Sequence, residues 1–182
     1  IGSLTNPLKL SNTFRSVANL PIADKTVSNY LACLEDAFLV DKAKRYDVKG
    51  KKYLSTPSKY YFTDLGLRNA TLNFRQQEEN HIMENVIYLE LLKRGFSVDV
   101  GIVETSKRNA DGKIVRNYAE VDFIANRGNN KFYIQSAFAM DTEEKQAQEK
   151  NSLLNIKDFF KKIIVVKDDI KRKRDENGIA TM

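Results

Sequence analysis

The sequence predicts a mixed α+β (α/β) fold in two consecutive parts, a helix-turn-helix with a hairpin over residues 1–75 and an αβββαβ unit over residues 79–182. Three observations predict it. Two stretches with helical apolar spacing are separated by Pro21. Two runs rich in β-branched and aromatic residues are joined by Lys49-Gly50-Lys51. An apolar helix closed by Gly95 is followed by three alternating segments.

In the first part, Pro7 to Asn19 carries Leu8, Leu10, Phe14 and Val17 as the apolar side of a short helix, and a new helix starts at Asp24. That second helix, to about Ala37, spaces Val27, Tyr30, Leu31, Leu34 and Phe38 as a stripe to be buried, leaving Lys25, Ser28 and Asn29 outward. FLVDKAKRYDV and KYLSTPSKYYF then read as a hairpin, and a helix-turn-helix followed by a hairpin is a winged helix. From Lys42 to Lys59 there are seven Lys/Arg and one Asp, interleaved with tyrosines. Such a surface suits a phosphate backbone, so Lys44, Arg45, Lys49, Lys51 and Lys52 are candidate nucleic-acid contacts, with Lys25, Ser28 and Asn29 near a helix start. Asp64-Leu65-Gly66-Leu67 reads as a helix start linking the two parts.

In the second part, Glu79 to Arg94 is apolar nearly all round and is therefore a buried helix. Glu84 lies within about 60° of Ile87, Tyr88 and Leu91 on it, so its carboxylate faces the protein and needs a partner. Strands follow at Phe96–Val103, Asn117–Ala125 and Lys131–Phe138, with turns at Asp111-Gly112 and around Gly128-Asn129. Alternation puts Ala119, Val121, Phe123 and Ala125 on one face of the second strand, and Tyr118, Glu120, Asp122 and Ile124 on the other. A turn centred on Gly128-Asn129 pairs Phe123 with Ile134, Asp122 with Gln135 and Glu120 with Ala137. Asp141, with Glu144 as a capping-box partner, starts a helix to about Asn155, and KIIVVK is a further strand.

Composition narrows the chemistry. Cys33 and His81 are the only residues of their kinds, which excludes a disulfide framework, a Cys/His zinc site and a His-based triad with a spare histidine. His81 reads as a surface residue. No run of 18 apolar residues and no signal peptide is present, so a cytoplasmic location and no membrane partner are expected. The non-methionine start predicts a segment of a longer polypeptide. Net charge is +6, and the excess belongs to residues 1–78, with 12 Lys/Arg against 7 Asp/Glu. The run Lys171 to Arg174 is flanked by acids and reads as a solvated loop.

A helix glutamate, an aspartate on the second strand and an acid-x-Lys position on the third make this order resemble the PD-(D/E)xK, restriction-endonuclease-like superfamily. The stretches VSNYLACLEDAFLV, KYYFTDLGLRNA, ENVIYLELLKRGF, AEVDFIA and YIQSAFAM also resemble the C-terminal region of bacterial and archaeal AAA-type ATPases. There a winged helix and a nuclease-like domain of unknown function follow a P-loop ATPase domain. The resemblance implies ATP in an N-terminal domain that this chain lacks, since no GxxxxGK[ST] occurs, and no cofactor in the chain itself.

Carried over by position, Glu84, Asp122 and Gln135 match the acidic site and Ala137 stands at the lysine. In an active member two carboxylates hold Mg²⁺ and the lysine orients the attacking water. Glu84 and Asp122 would be the metal ligands, but Ala137 offers neither charge nor base, and neither Lys131 nor Lys145 has the spacing to replace it. The expectation is a degenerate, inactive site with no metal, in a module that binds double-stranded DNA and its own ATPase domain. The competing expectations are a metal-dependent DNA endonuclease and a protein-interaction scaffold for the ATPase.

Overall fold

The computed structural model describes residues 2–75, 78–108, 112 and 114–182. Asp111 of the expected Asp111-Gly112 turn lies outside the described residues.

Helix α1 (Pro7–Ala18) begins where Asn6 accepts the Lys9 N–H and Pro7 supplies a first-turn residue whose missing donor costs nothing; α2 (Asp24–Asp36) packs on it. Strands β1 (Val40–Asp47) and β2 (Lys52–Phe62) form the hairpin, and α3 (Leu65–Thr71), capped by Asp64, leads to α4 (Glu79–Lys93). Then come β3 (Ser97–Arg108), β4 (Ile114–Arg127), β5 (Asn130–Ala137), α5 (Glu143–Leu154) and β6 (Lys161–Val166). Two short strands, β7 (Lys173–Arg174) and β8 (Ala180–Thr181), close the chain and had no counterpart in the sequence reading.

A mixed α+β architecture is thus observed, built on one eight-stranded sheet in the order β2-β1-β3-β4-β5-β6-β8-β7. The hairpin expected as a wing is the edge of this sheet: β1 runs parallel to β3, with Arg45 opposite Val100 and Asp47 opposite Ile102. Consequently β2 belongs to the same face-to-face packing as the second part, and side chains from both parts can meet.

The expected register of β4 and β5 is present. Arg127 pairs with Asn130 across Gly128-Asn129, where Gly128 takes φ 58°, and Phe123 pairs with Ile134. Side-chain alternation in β4, however, breaks at a bulge. Ile124 lies opposite Asp99 and Val121 opposite Gly101, so Asp122 and Phe123 together face the single residue Val100. Val121 and Ile124 therefore join one core with Tyr133, Ala137, Leu153 and Ile164, on the α5 side. Phe123 and Ala125 join the other, with Tyr61, Tyr88, Val98 and Ile134, on the α4 side. The expected common face for Val121 and Phe123 is corrected by this extra residue. Gly101 permits the bulge, since a Cβ there would come 2.9 Å from the Val121 Cβ.

The α2 stripe is also corrected. Val27 is buried, but Tyr30 is 60% exposed and Phe38 81% exposed. With the hairpin drawn into the sheet, α2 packs chiefly on α1 and β1, and Tyr30 and the following Phe38 stay exposed among the described residues.

Candidate carboxylate–lysine site

Three elements bring four charged side chains to one point on the α4 side of the sheet. Glu84 comes from the middle of α4, Glu120 and Asp122 from β4 at its bulge, and Lys59 from β2. The Lys59 Nζ lies 2.6 Å from Glu120 Oε1, 2.8 Å from Glu84 Oε1 and 3.3 Å from Asp122 Oδ1. Its side chain is 3% exposed, against 11% for Glu84, 12% for Asp122 and 31% for Glu120, so the cluster opens to solvent chiefly at Glu120.

Local sequence explains the convergence. Lys59 and Tyr61 are two residues apart on a strand and share a face, the one turned to α4. There the Tyr61 hydroxyl donates to Glu84 Oε1 at 2.6 Å, while its ring stacks on Tyr88, one turn along α4, at 4.1 Å between centroids. A wide irregularity in β2, where Ala43 pairs with Lys59 but Arg45 with Leu54, holds residues 55–58 out of the ladder. Ser58 pairs instead with Thr5 at the start of the chain. Just before that contact, Gly2 lies over the cluster. A Cβ there would sit 2.8 Å from Glu84 Oε2 and 2.6 Å from His81 Nδ1. His81, expected at the surface, is half-buried.

Asp122 is held by groups other than the lysine too. Its Oδ2 accepts the Ser136 N–H at 2.9 Å, and its own N–H donates to Gln135 Oε1 at 3.4 Å, so these neighbours meet as the register requires. Gln135 also bonds Glu149 of α5, whose carboxyl is raised by burial. Burial pulls Lys59 toward neutrality, but Asp122, Glu84 and Glu120 more than reverse this and hold the ammonium charged well above its ordinary range. Burial pushes the Asp122 carboxyl up, against the pull of Lys59, and pushes the Tyr61 hydroxyl far up, keeping it a donor.

Of the sequence-derived site, Glu84 and Asp122 are brought together through Lys59, while Gln135 reaches the Asp122 N–H and Glu149 of α5. Ala137 is buried in the α5-side core and does not face Glu120. Pairing of β4 with β5 ends at Phe123, and the bulge sends Glu120 to Lys59 instead. Lys59 is the residue that sequence reasoning missed as part of this cluster, having counted it among the basic charges of a free wing. Its two-residue spacing from Tyr61 was the available signal.

The carboxylates have the hard oxygen chemistry that Mg²⁺ takes, but their arrangement does not fit an ion. The ammonium occupies their focus, and among the described residues no three Asp, Glu, His or Cys side chains are placed to hold a metal.

The candidate nucleic-acid contacts fall in two places. Lys25, Ser28 and Asn29 are exposed on α2, and Ser28 borders a cleft with Lys42 and Ser58. At the hairpin tip, Lys44, Lys51 and Lys52 are exposed, Arg45 is half-buried, and Lys49 is paired with Glu104 at 2.7 Å. Lys49 and Lys51 border a cavity of about 430 Å³ together with Thr105, Ser106, Asn155 and Lys157. Its apolar floor includes Val103 and Ile156, members of the α5-side core. The cavity and the carboxylate cluster therefore belong to opposite faces of the sheet.

Residues 2–78 match the model of a domain of unknown function (DUF8612). An uncharacterised protein of Haemophilus influenzae is 39% identical over 165 residues, 91% of this chain and 37% of that protein. Uncharacterized protein MJ1544 of Methanocaldococcus jannaschii is 29% identical over 151 residues, 83% of this chain and 31% of its own length. The chain thus spans about a third of these curated relatives. No solved structure matches. No helix among the described residues is long and apolar enough to cross a membrane.

Proposed function

We propose that the chain is a nucleic-acid-binding module that holds its ligand without cutting it. The observation that carries this reading is the cleft in which Lys49 and Lys51 of the hairpin meet Lys157 beside α5, with Thr105, Ser106 and Asn155 offering neutral hydrogen-bonding groups. Lysines for charge and short polar side chains for phosphate oxygens are what backbone binding uses. Glu104 and Asp158 on the same walls keep the surface from being uniformly positive, and Lys49 is already engaged by Glu104. Lys51, Lys157 and the nearby exposed Lys52 are therefore the main phosphate contacts.

Binding without hydrolysis follows from the other face. The carboxylates are already engaged by the Lys59 ammonium, and the cleft does not lead to them. In a longer polypeptide of the length the relatives show, the remaining two thirds would hold the P-loop ATPase that the resemblance implies, and ATP would bind there.

Duplex-binding measurements over a salt series test the reading. Wild type should bind with a steep salt dependence, and the Lys51→Ala/Lys157→Ala variant should lose about one unit of log–log slope for each lysine removed. Salt-insensitive binding, or none, removes the reading.

One observation favours metal-dependent hydrolysis as a second reading. Lys59 brings to Glu84 and Asp122 the cation that Ala137 cannot supply. Cleavage of plasmid with Mg²⁺ or Mn²⁺ that Lys59→Met and Asp122→Asn both abolish would establish it in place of the first.

A further inference from the structure

We infer that the cleft at the hairpin tip takes single-stranded nucleic acid in preference to duplex, with Phe159 as the platform on which an unpaired base stacks beside phosphates held by Lys51 and Lys157. The inference rests on reading that cleft as a phosphate-binding surface, and adds to it a ring and a strand type.

Phe159 is fully exposed, yet the loop that carries it is anchored on both sides. Before it, Ile156 is buried in the α5-side core, and its carbonyl accepts the Lys162 ammonium at 2.7 Å, which closes the loop. Next to it, Asp158 accepts the hydroxyl of the buried Tyr133 with one oxygen and the Phe160 N–H, at 3.2 Å, with the other. The ring is therefore held out into water by a fixed backbone. A phenyl group so placed forgoes most of the stabilisation that burial would give it. Phe160 differs, since its ring is covered by the Lys131 ammonium at 5.1 Å from the centroid.

Charge around the ring favours a polyanion with flat, apolar parts. Lys157 and Lys161 are exposed on either side of the Phe pair, and Lys131 lies between the Phe160 and Tyr46 rings. The one nearby acid in the loop, Asp158, is taken up by Tyr133 and the Phe160 amide. Lys157 and Asp158 are also walls of the cleft, so Phe159 stands one residue beyond its rim. The Cα atoms of Lys157 and Phe159 are at most about 7 Å apart, so a phosphate on one and a base on the other belong to the same or successive nucleotides. Aromatic platforms beside lysines are how single strands are held without sequence preference, because every unpaired base offers a π-face. In a duplex those faces are stacked on one another. The cleft, at about 430 Å³, also has the size of a small-molecule site and not of a double helix.

Titration of the full chain with oligothymidylate and with an oligothymidylate–oligoadenylate duplex of equal length tests the inference. Wild type should bind the single strand about tenfold or more tightly than the duplex. Phe159→Ala should lose about tenfold for the single strand and little for the duplex, and Phe159→Trp should restore the difference. The chain has no tryptophan, so the indole that Phe159→Trp introduces reports stacking directly: oligothymidylate should quench its fluorescence and duplex should not. Equal affinity for both forms, unchanged in Phe159→Ala, overturns the inference and leaves salt-dependent backbone binding standing. Salt-insensitive binding of both forms, or none, overturns the cleft reading along with it. An indole that shifts to the blue on phosphatidylserine vesicles and is not quenched by oligothymidylate gives the loop to an anionic membrane surface, which also overturns the inference.

Discussion

Lys59 and Glu120 meet at 2.6 Å although 61 positions separate them, because β1 lies parallel against β3 and carries β2 into the sheet that holds β4. This contact joins the helix-turn-helix and hairpin part to the αβββαβ part through one ammonium with three carboxylates.

Lys59→Met in metal-free buffer should therefore cost about 3–5 kcal/mol, the range for breaking a buried ion pair from one side. Lys59→Arg, which keeps the charge, should cost clearly less. Urea unfolding of the three proteins measures the differences, and equal stability of all three would show the cluster to be energetically idle.

Gly101 makes the β4 bulge possible, and Gly101→Ala should destabilise by about 1–3 kcal/mol. The added Cβ would sit 2.9 Å from the Val121 Cβ and 3.1 Å from Ile124 Cγ1, in a core already closed. Because this bulge directs Glu120 and Asp122 toward Lys59, the same variant should weaken the Lys59 contribution when the two substitutions are combined. A double-mutant cycle reads that coupling.

Asp122 gives a pH dependence with a definite sign. Burial raises its carboxyl above the ordinary 3.8, with Glu84 adding and Lys59 and the Ser136 amide opposing. The folded state then holds this proton more tightly than the unfolded chain, so the contribution to stability falls as pH rises from about 3.8 through the folded value. Asp122→Asn lacks this contribution. Its melting temperature relative to wild type should accordingly improve as the pH is raised above the ordinary 3.8; a difference independent of pH would contradict the burial argument.

Much of this was legible in the residues. The β4–β5 register could be read from Gly128-Asn129, because a two-residue turn fixes every pair behind it, and Asp122 and Gln135 do meet. Helix α4 ends at Gly95 as its sequence signals. What escaped was long-range. Nothing local marks β1 as a partner of β3, so Lys59 looked like a solvated wing residue. The bulge adds one residue whose only trace is Gly101 on the opposite strand, so strict alternation misplaced Val121 and aimed Glu120 at Ala137. The α2 stripe failed for the same reason, since its burial needed a hairpin that went elsewhere.

On the reading proposed above, the chain holds nucleic acid while Lys59 keeps the carboxylates occupied. Incubation of the wild-type chain with supercoiled plasmid and Mn²⁺, followed by electrophoresis before and after removal of the protein, tests it most directly. Plasmid should be retarded by bound protein at low salt and released intact. Nicked or linear product that disappears in Asp122→Asn would contradict it.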